Sequence, residues 1–191
     1  MATTGACRHP TCPLFLAIGL IAFAVLTRII PHPETPNVAG VAAAALFAGW
    51  LIRSRILAFA VPLAAMLISD AIIGWDVPLV TAAVYLSMLA PVLFRGLMGD
   101  GARLPRLFAG AAIGALAGSV LFYLTTNFAV WATMVAYPKT MVGLLESYTN
   151  ALPFFRMTAL GDMAFAMTLF GAWAAVARVA MLGRARWAVA A

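Results

Sequence analysis

From residue 13 onward the sequence is a succession of six apolar runs, at about 13–30, 38–52, 56–74, 78–95, 106–125 and 158–180, and most charges fall in the breaks between them. A run near 20 residues is what an α-helix needs to cross about 30 Å of hydrocarbon. Only 9% of residues are charged, where a soluble domain carries about 25%. The chain is therefore expected to be an all-α membrane protein with six transmembrane helices, forming a single domain over residues 1–191. The run at 38–52 is short for a full span.

The first 12 residues read as a cytoplasmic tail. The run from Pro13 to Leu26 follows Arg8 as in a signal peptide. What comes next, however, is Thr27-Arg28-Ile29-Ile30 rather than a small-residue cleavage site, so the helix is expected to be retained. Cys7 and Cys12 both precede this run, and a C-x4-C pair with no further cysteine is a weak zinc signal.

The net charge of +6 is a topology signal before it is a binding signal. Lys139 is the only lysine, so there is no lysine-rich face for nucleic acid. With the N-terminus inside, Arg8, Arg53, Arg55, Arg95, Arg103, Arg106, Arg178, Arg184 and Arg186 all lie inside, nine of the twelve basic residues. The outside keeps Arg28, Lys139 and Arg156. Glu34, Asp70, Asp76, Glu146 and Asp162 fall at or near outer ends, and only Asp100 lies inside. The positive-inside rule thus favours N-in/C-in. The stretch from Thr125 to Met157 is too long for a tight turn and carries Trp131, Tyr137, Tyr148, Phe154 and Phe155, which suit an interface. Short interfacial or re-entrant helices are expected there, near 127–135 and 139–150.

The polar residues inside this apolar frame are the candidate ligand-binding groups. Asp70 ends a long apolar stretch, where a carboxylate costs of order 2–3 kcal/mol at a helix centre and needs a partner. Arg28, at the outer end of the first run, is the natural one. Asp162 opens the last predicted span, where an acid either complements the helix dipole or serves a site. His32 stands between Pro31 and Pro33, which stiffen its backbone. With no second histidine in the membrane part, it cannot build a protein-only metal cage, but it can make one contact to a ligand that brings its own metal. Tyr85 and Ser87 interrupt the fourth run, and Asn127, Trp131, Tyr148 and Asn150 mark the long outer stretch. An outward-facing cavity lined by Arg28, His32, Asp70, Tyr85, Asn127, Trp131, Tyr148 and Asp162 accounts for this one-sided polarity. A structural ion pair and ordinary belt aromatics account for the same residues without a site.

Gly110, Gly114 and Gly118 form a stripe at intervals of four, which serves close helix packing or the docking of a partner. No P-loop, G-x-S-x-G, H-E-x-x-H or dinucleotide fingerprint is present, and enzyme function has little support.

The set Arg28-x-x-Pro31-His32-Pro33-x-x-x-Pro36, Ala45-Leu46-Phe47-Ala48-Gly49, Ser69-Asp70, Tyr137-Pro138-Lys139-Thr140 and Leu152-Pro153-Phe154-Phe155-Arg156 with Gly161-Asp162 resembles a family of small bacterial membrane proteins. Its plan is similar to the substrate-binding S components of energy-coupling-factor vitamin transporters, in particular the solitary cobalamin-specific type. The resemblance covers roughly residues 28–170. It implies a six-helix protein of the bacterial inner membrane that takes up a vitamin such as cobalamin through an outward pocket, without a cofactor of its own, acting alone or with an ATP-driven module. The cysteine that can ligate cobalt in that type has no counterpart here, which leaves His32 as an alternative. The docking motif Ala-x-x-x-Ala is also absent from the first run, where Ala17 is followed by Ile21. Two other classes stay open: a non-transport membrane scaffold, and an intramembrane enzyme pairing Asp70 with Asp162.

Overall fold

The computed structural model describes residues 12–30, 38–99 and 103–189, with backbone alone for 12 and 183–189. His32, Glu34, Cys7, Arg8 and Asp100 lie outside the described residues, as do the side chains of Cys12, Arg184 and Arg186. Six helices follow one another and no strand occurs among the described residues: α1 (Cys12–Ile29), α2 (Val41–Leu51), α3 (Arg55–Ile73), α4 (Pro78–Met98), α5 (Leu104–Thr133) and α6 (Met141–Val189). Four of them, α3, α4, α5 and α6 over Met141–Leu182, are long and apolar enough to cross a membrane. The apolar stretches Pro13–Ile29 and Val41–Leu51 are shorter. Large apolar side chains such as Phe15, Ile56, Leu86 and Val176 are exposed. A soluble monomer rarely exposes so much apolar surface, so the architecture suits a membrane protein.

Local chemistry sets the helix ends. Ser54 caps α3 by accepting from the Leu57 N–H at 3.3 Å. Gly74 ends α3 at φ 108°, a left-handed conformation that costs a glycine nothing. Pro78 and Pro105 sit in the first turns of α4 and α5, where a missing N–H does no harm. Within α4, Pro91 coincides with a tightened 3₁₀ stretch over Ala90–Phe94.

The short helix α2 is the centre of the bundle. Every residue from Val41 to Gly49 is buried, and α1, α3, α4, α5 and α6 all pack on it. Its alanines, Ala42 to Ala45 and Ala48, let these neighbours come close. Gly49 faces the backbone of Val92, so the 3₁₀ stretch of α4 rests directly on α2. Towards α6 the seam is aromatic: Phe47 meets Phe170 edge-on at 5.0 Å, and Trp50 meets Trp173 edge-on at 4.7 Å.

The stripe on α5 is consumed by this packing. Gly110 faces the carbonyl of Leu97, Gly114 faces Leu46 and Gly118 faces Pro91. It is an internal seam, not a docking face for a partner.

The stretch from Thr125 to Met157 differs from the expectation. No separate interfacial helices form: residues 125–133 end α5 and residues 141–157 begin α6. The two fifth- and sixth-span boundaries of 106–125 and 158–180 are therefore too narrow. At about 1.5 Å per residue, α5 is about 45 Å long and α6 over Met141–Leu182 about 63 Å, both beyond the hydrocarbon thickness. The reason is pairing within the hairpin. Tyr148 Oη donates to the Leu124 carbonyl at 2.8 Å, Tyr123 Oη to that of Tyr148 at 2.7 Å, and Ser147 Oγ to that of Asn127 at 3.1 Å. At the turn, Trp131 Nε1 donates to Pro138 O at 2.9 Å. Lys139 Nζ donates to Met134 O at 2.6 Å and to Trp131 O, satisfying carbonyls at the end of α5. Polar and aromatic residues that suit an interface thus stitch two helices together instead. Pro153 lies inside α6 without ending it.

Candidate functional site

Among the described residues the buried acidic side chains are Asp70 and Asp162, and they fall in one layer of the bundle. Arg28 stands next to the last residue of α1, and its Nη1 donates to Ser69 Oγ at 2.5 Å and to Asp70 Oδ1. Asp70 and Ser69 come from the last turn and a half of α3 and are buried. Ser69 is itself anchored to its helix, with Oγ 2.7 Å from the Ala65 carbonyl. The ion pair is partly open, since the Arg28 side chain keeps 23% of its surface exposed against 7% for Asp70.

Tyr85 on α4 adds the third side. Its phenol lies beside Asp70 and within the field of Arg28. Trp75, from the α3–α4 connection, stacks over its ring with centroids 6.3 Å apart. Yet the Tyr85 hydroxyl is buried and, although it lies beside Asp70, reaches no partner in good hydrogen-bond geometry. Such a group is rare in a folded interior and calls for an explanation.

Asp162 completes the layer from α6. It is 4% exposed and its Oδ2 accepts from Ser119 Oγ of α5 at 2.6 Å. It stands 21 residues into α6, because that helix begins at Met141. It does not occupy a first turn as the sequence led us to expect, and the helix dipole does not explain it. Ser119 is the residue that sequence reading missed. It is the one hydroxyl in the apolar stretch 107–122 and follows directly on Gly118, which was the available signal.

These groups share a depth. Asp70 is 15 residues from the start of α3, Ser119 is 15 from the start of α5, and Tyr85 is 13 from the end of α4. Those three helix ends carry or adjoin Arg53, Arg55, Arg95, Arg103 and Arg106. At about 1.5 Å per residue the layer lies about 20–22 Å from the arginine-rich end, less than the roughly 30 Å thickness of a hydrocarbon core. Measured from the same end, α2 is only about 16 Å long. The chain leading into it is non-helical, and there Gly40 N–H donates to Thr27 Oγ1 at 2.9 Å and Val38 packs on Gly161.

The structure does not bring all the sequence candidates together. Arg28, Asp70 and Tyr85 converge. Asp162 is buried on another helix pair and bonded to Ser119, and no hydrogen bond joins it to Asp70. Asn127, Trp131 and Tyr148 belong to the α5–α6 hairpin, where Asn127 Nδ2 donates to the Tyr123 carbonyl at 2.8 Å. His32 lies outside the described residues. Among those residues no group of three or more His, Cys, Asp or Glu side chains could hold a metal. An open groove of about 410 Å³ lies between α4 and α5, lined by Leu79, Ala82, Leu86, Leu124, Phe128 and neighbours. It is apolar, its larger side chains face outward, and it does not contain the polar layer.

A family model described as a family of unknown function, DUF6580, matches residues 10–184. No curated protein and no solved structure matches the chain.

Proposed function

We propose that this chain, which belongs to the DUF6580 family of unknown function, is a membrane uptake protein that binds a small molecule at its polar layer, on the plan of a vitamin-transporter S component. In this reading it sits N-in/C-in in a bacterial inner membrane, and the ligand enters from the face opposite the arginines. The observation that carries the reading is the buried, unbonded Tyr85 hydroxyl beside the Arg28–Asp70 pair. A polar group costs free energy in hydrocarbon unless something pairs with it, and a ligand is what an uptake protein would place there. The half-length α2 supports the same reading. Short or interrupted membrane helices mark binding sites because non-helical backbone at that depth is tolerated where it lines a cavity or is buried in protein. Among vitamins, cobalamin is the ligand that the sequence resemblance nominates. The apolar groove of about 410 Å³ is not its pocket, since a corrinoid needs a volume near or above the upper end of the roughly 300–1,000 Å³ usual for ligand sites.

Equilibrium binding to the purified, folded chain tests the reading. Saturable binding of cobalamin at micromolar concentration, weakened by Tyr85→Phe, is the expected result. Folded protein that binds no cobalamin discards that ligand, and folded protein that binds none of a vitamin panel discards the uptake reading.

A further inference from the structure

We infer that the group recognised at the Arg28–Asp70–Tyr85 cluster is a neutral carboxamide rather than an anion; this rests on the binding role proposed above. The cluster holds several hydrogen-bonding groups that its own contacts leave unused. Arg28 has five N–H donors in a rigid fork, and its bonds to Ser69 and Asp70 both leave from Nη1. Among the described residues its Nε and Nη2 make no hydrogen bond. Asp70 is bonded to Arg28 through Oδ1, and among the described residues no further hydrogen bond to its carboxylate has good geometry. The Tyr85 hydroxyl lies beside Asp70 without a partner in good hydrogen-bond geometry. The cluster therefore offers donors from one side, an acceptor from the other, and a hydroxyl that can act either way. A carboxamide presents the complementary edge. Its carbonyl oxygen accepts from Arg28 or Tyr85, and its N–H₂ donates to Asp70.

Charge decides against the obvious alternative. An arginine at a binding site ordinarily invites a carboxylate or phosphate. Here Asp70 already neutralises it, and the pair lies about 20 Å into the bilayer from the arginine-rich end. A bound carboxylate would leave one uncompensated negative charge at that depth, which is expensive. It would also set its oxygens against Asp70 Oδ2. A carboxamide has nearly the same size and shape and brings neither penalty.

Benzamide and benzoate form a matched pair that differs in this group alone, and Trp75 stacked on Tyr85 is a reporter within the cluster. The experiment is a fluorescence titration of the full chain in detergent micelles with each compound, with Trp75→Phe assigning the signal. Saturable quenching by millimolar benzamide, about tenfold weaker in Tyr85→Phe and absent with benzoate, is expected. Asp70→Asn leaves Arg28 unneutralised and should reverse the preference towards benzoate. Tyr85→Phe removes only an unbonded hydroxyl, so it keeps the test intact where Asp70→Asn fails to fold. Preference of the unaltered chain for benzoate overturns the inference. So does indifference to both compounds in a chain that binds a vitamin elsewhere, an outcome that leaves the uptake reading standing. A chain that binds neither compound and no vitamin removes both.

Discussion

Arg28 and Asp70 are paired across the seam between α1 and α3, and Ser69 holds the same guanidinium nitrogen. Removing one partner strands a charge in the bundle interior. Arg28→Met or Asp70→Leu alone is expected to cost about 3–5 kcal/mol, and the double variant much less, because two apolar side chains can replace a buried pair. SDS-induced unfolding of the four forms in one detergent gives the double-mutant cycle. Additive losses would show that the two residues do not act as a pair.

Ser119 is the only partner of Asp162 among the described residues. Ser119→Ala leaves a buried carboxyl group unsatisfied and is expected to cost about 1–3 kcal/mol. Asp162→Asn keeps a polar atom within reach of Ser119 and should cost clearly less. The same unfolding assay ranks the two, and the reverse order would mean that the hydroxyl contributes little.

Three glycines should respond differently to alanine. At Gly49 a new methyl meets the backbone of Val92, which cannot swing aside, and a loss of about 1–3 kcal/mol is expected. At Gly114 it meets the methyl ends of Leu46, 2.9 Å away, and the loss should be smaller. At Gly19 nothing lies within 4 Å, so the gain in helix propensity should stabilise by up to about 1 kcal/mol. Thermal aggregation of the three detergent-solubilised variants, followed by size-exclusion chromatography, reads the order.

The orientation can be read by labelling. In a background with Cys7→Ser and Cys12→Ser, Arg53→Cys and Asp76→Cys place single thiols in the exposed connections at opposite ends of α3. The N-in/C-in reading expects a membrane-impermeant maleimide to reach position 76 in intact cells, and position 53 only after permeabilisation.

The all-helical class was legible because long apolar runs leave few alternatives, and each of the six runs corresponds to one of the six helices, although only four of these are long and apolar enough to span. The pairing of Arg28 with Asp70 was legible too, since two charges that break an apolar pattern on the same side need each other. The α5–α6 hairpin was not. Tyr123, Ser147 and Tyr148 bond to backbone carbonyls of the facing helix, and the same residue types sit equally well at a membrane surface. Composition cannot separate the two situations; only the register between the helices does. Asp162 was misplaced for the same reason, because its position within α6 depends on where that helix starts.

The central helix has a consequence for how the protein is made. An 11-residue helix is too short to partition into a bilayer by itself, and all of Val41–Gly49 finds its environment only in other helices. Its neighbours come from both sides in sequence, and four of them, α3, α4, α5 and α6, are synthesised after it. Independent insertion of finished spans followed by their association therefore does not account for the burial of α2. The segment between α1 and α3 must wait, held by its flanks, until the later helices close around it, so truncation before α6 should yield a product that the cell degrades rather than a smaller bundle.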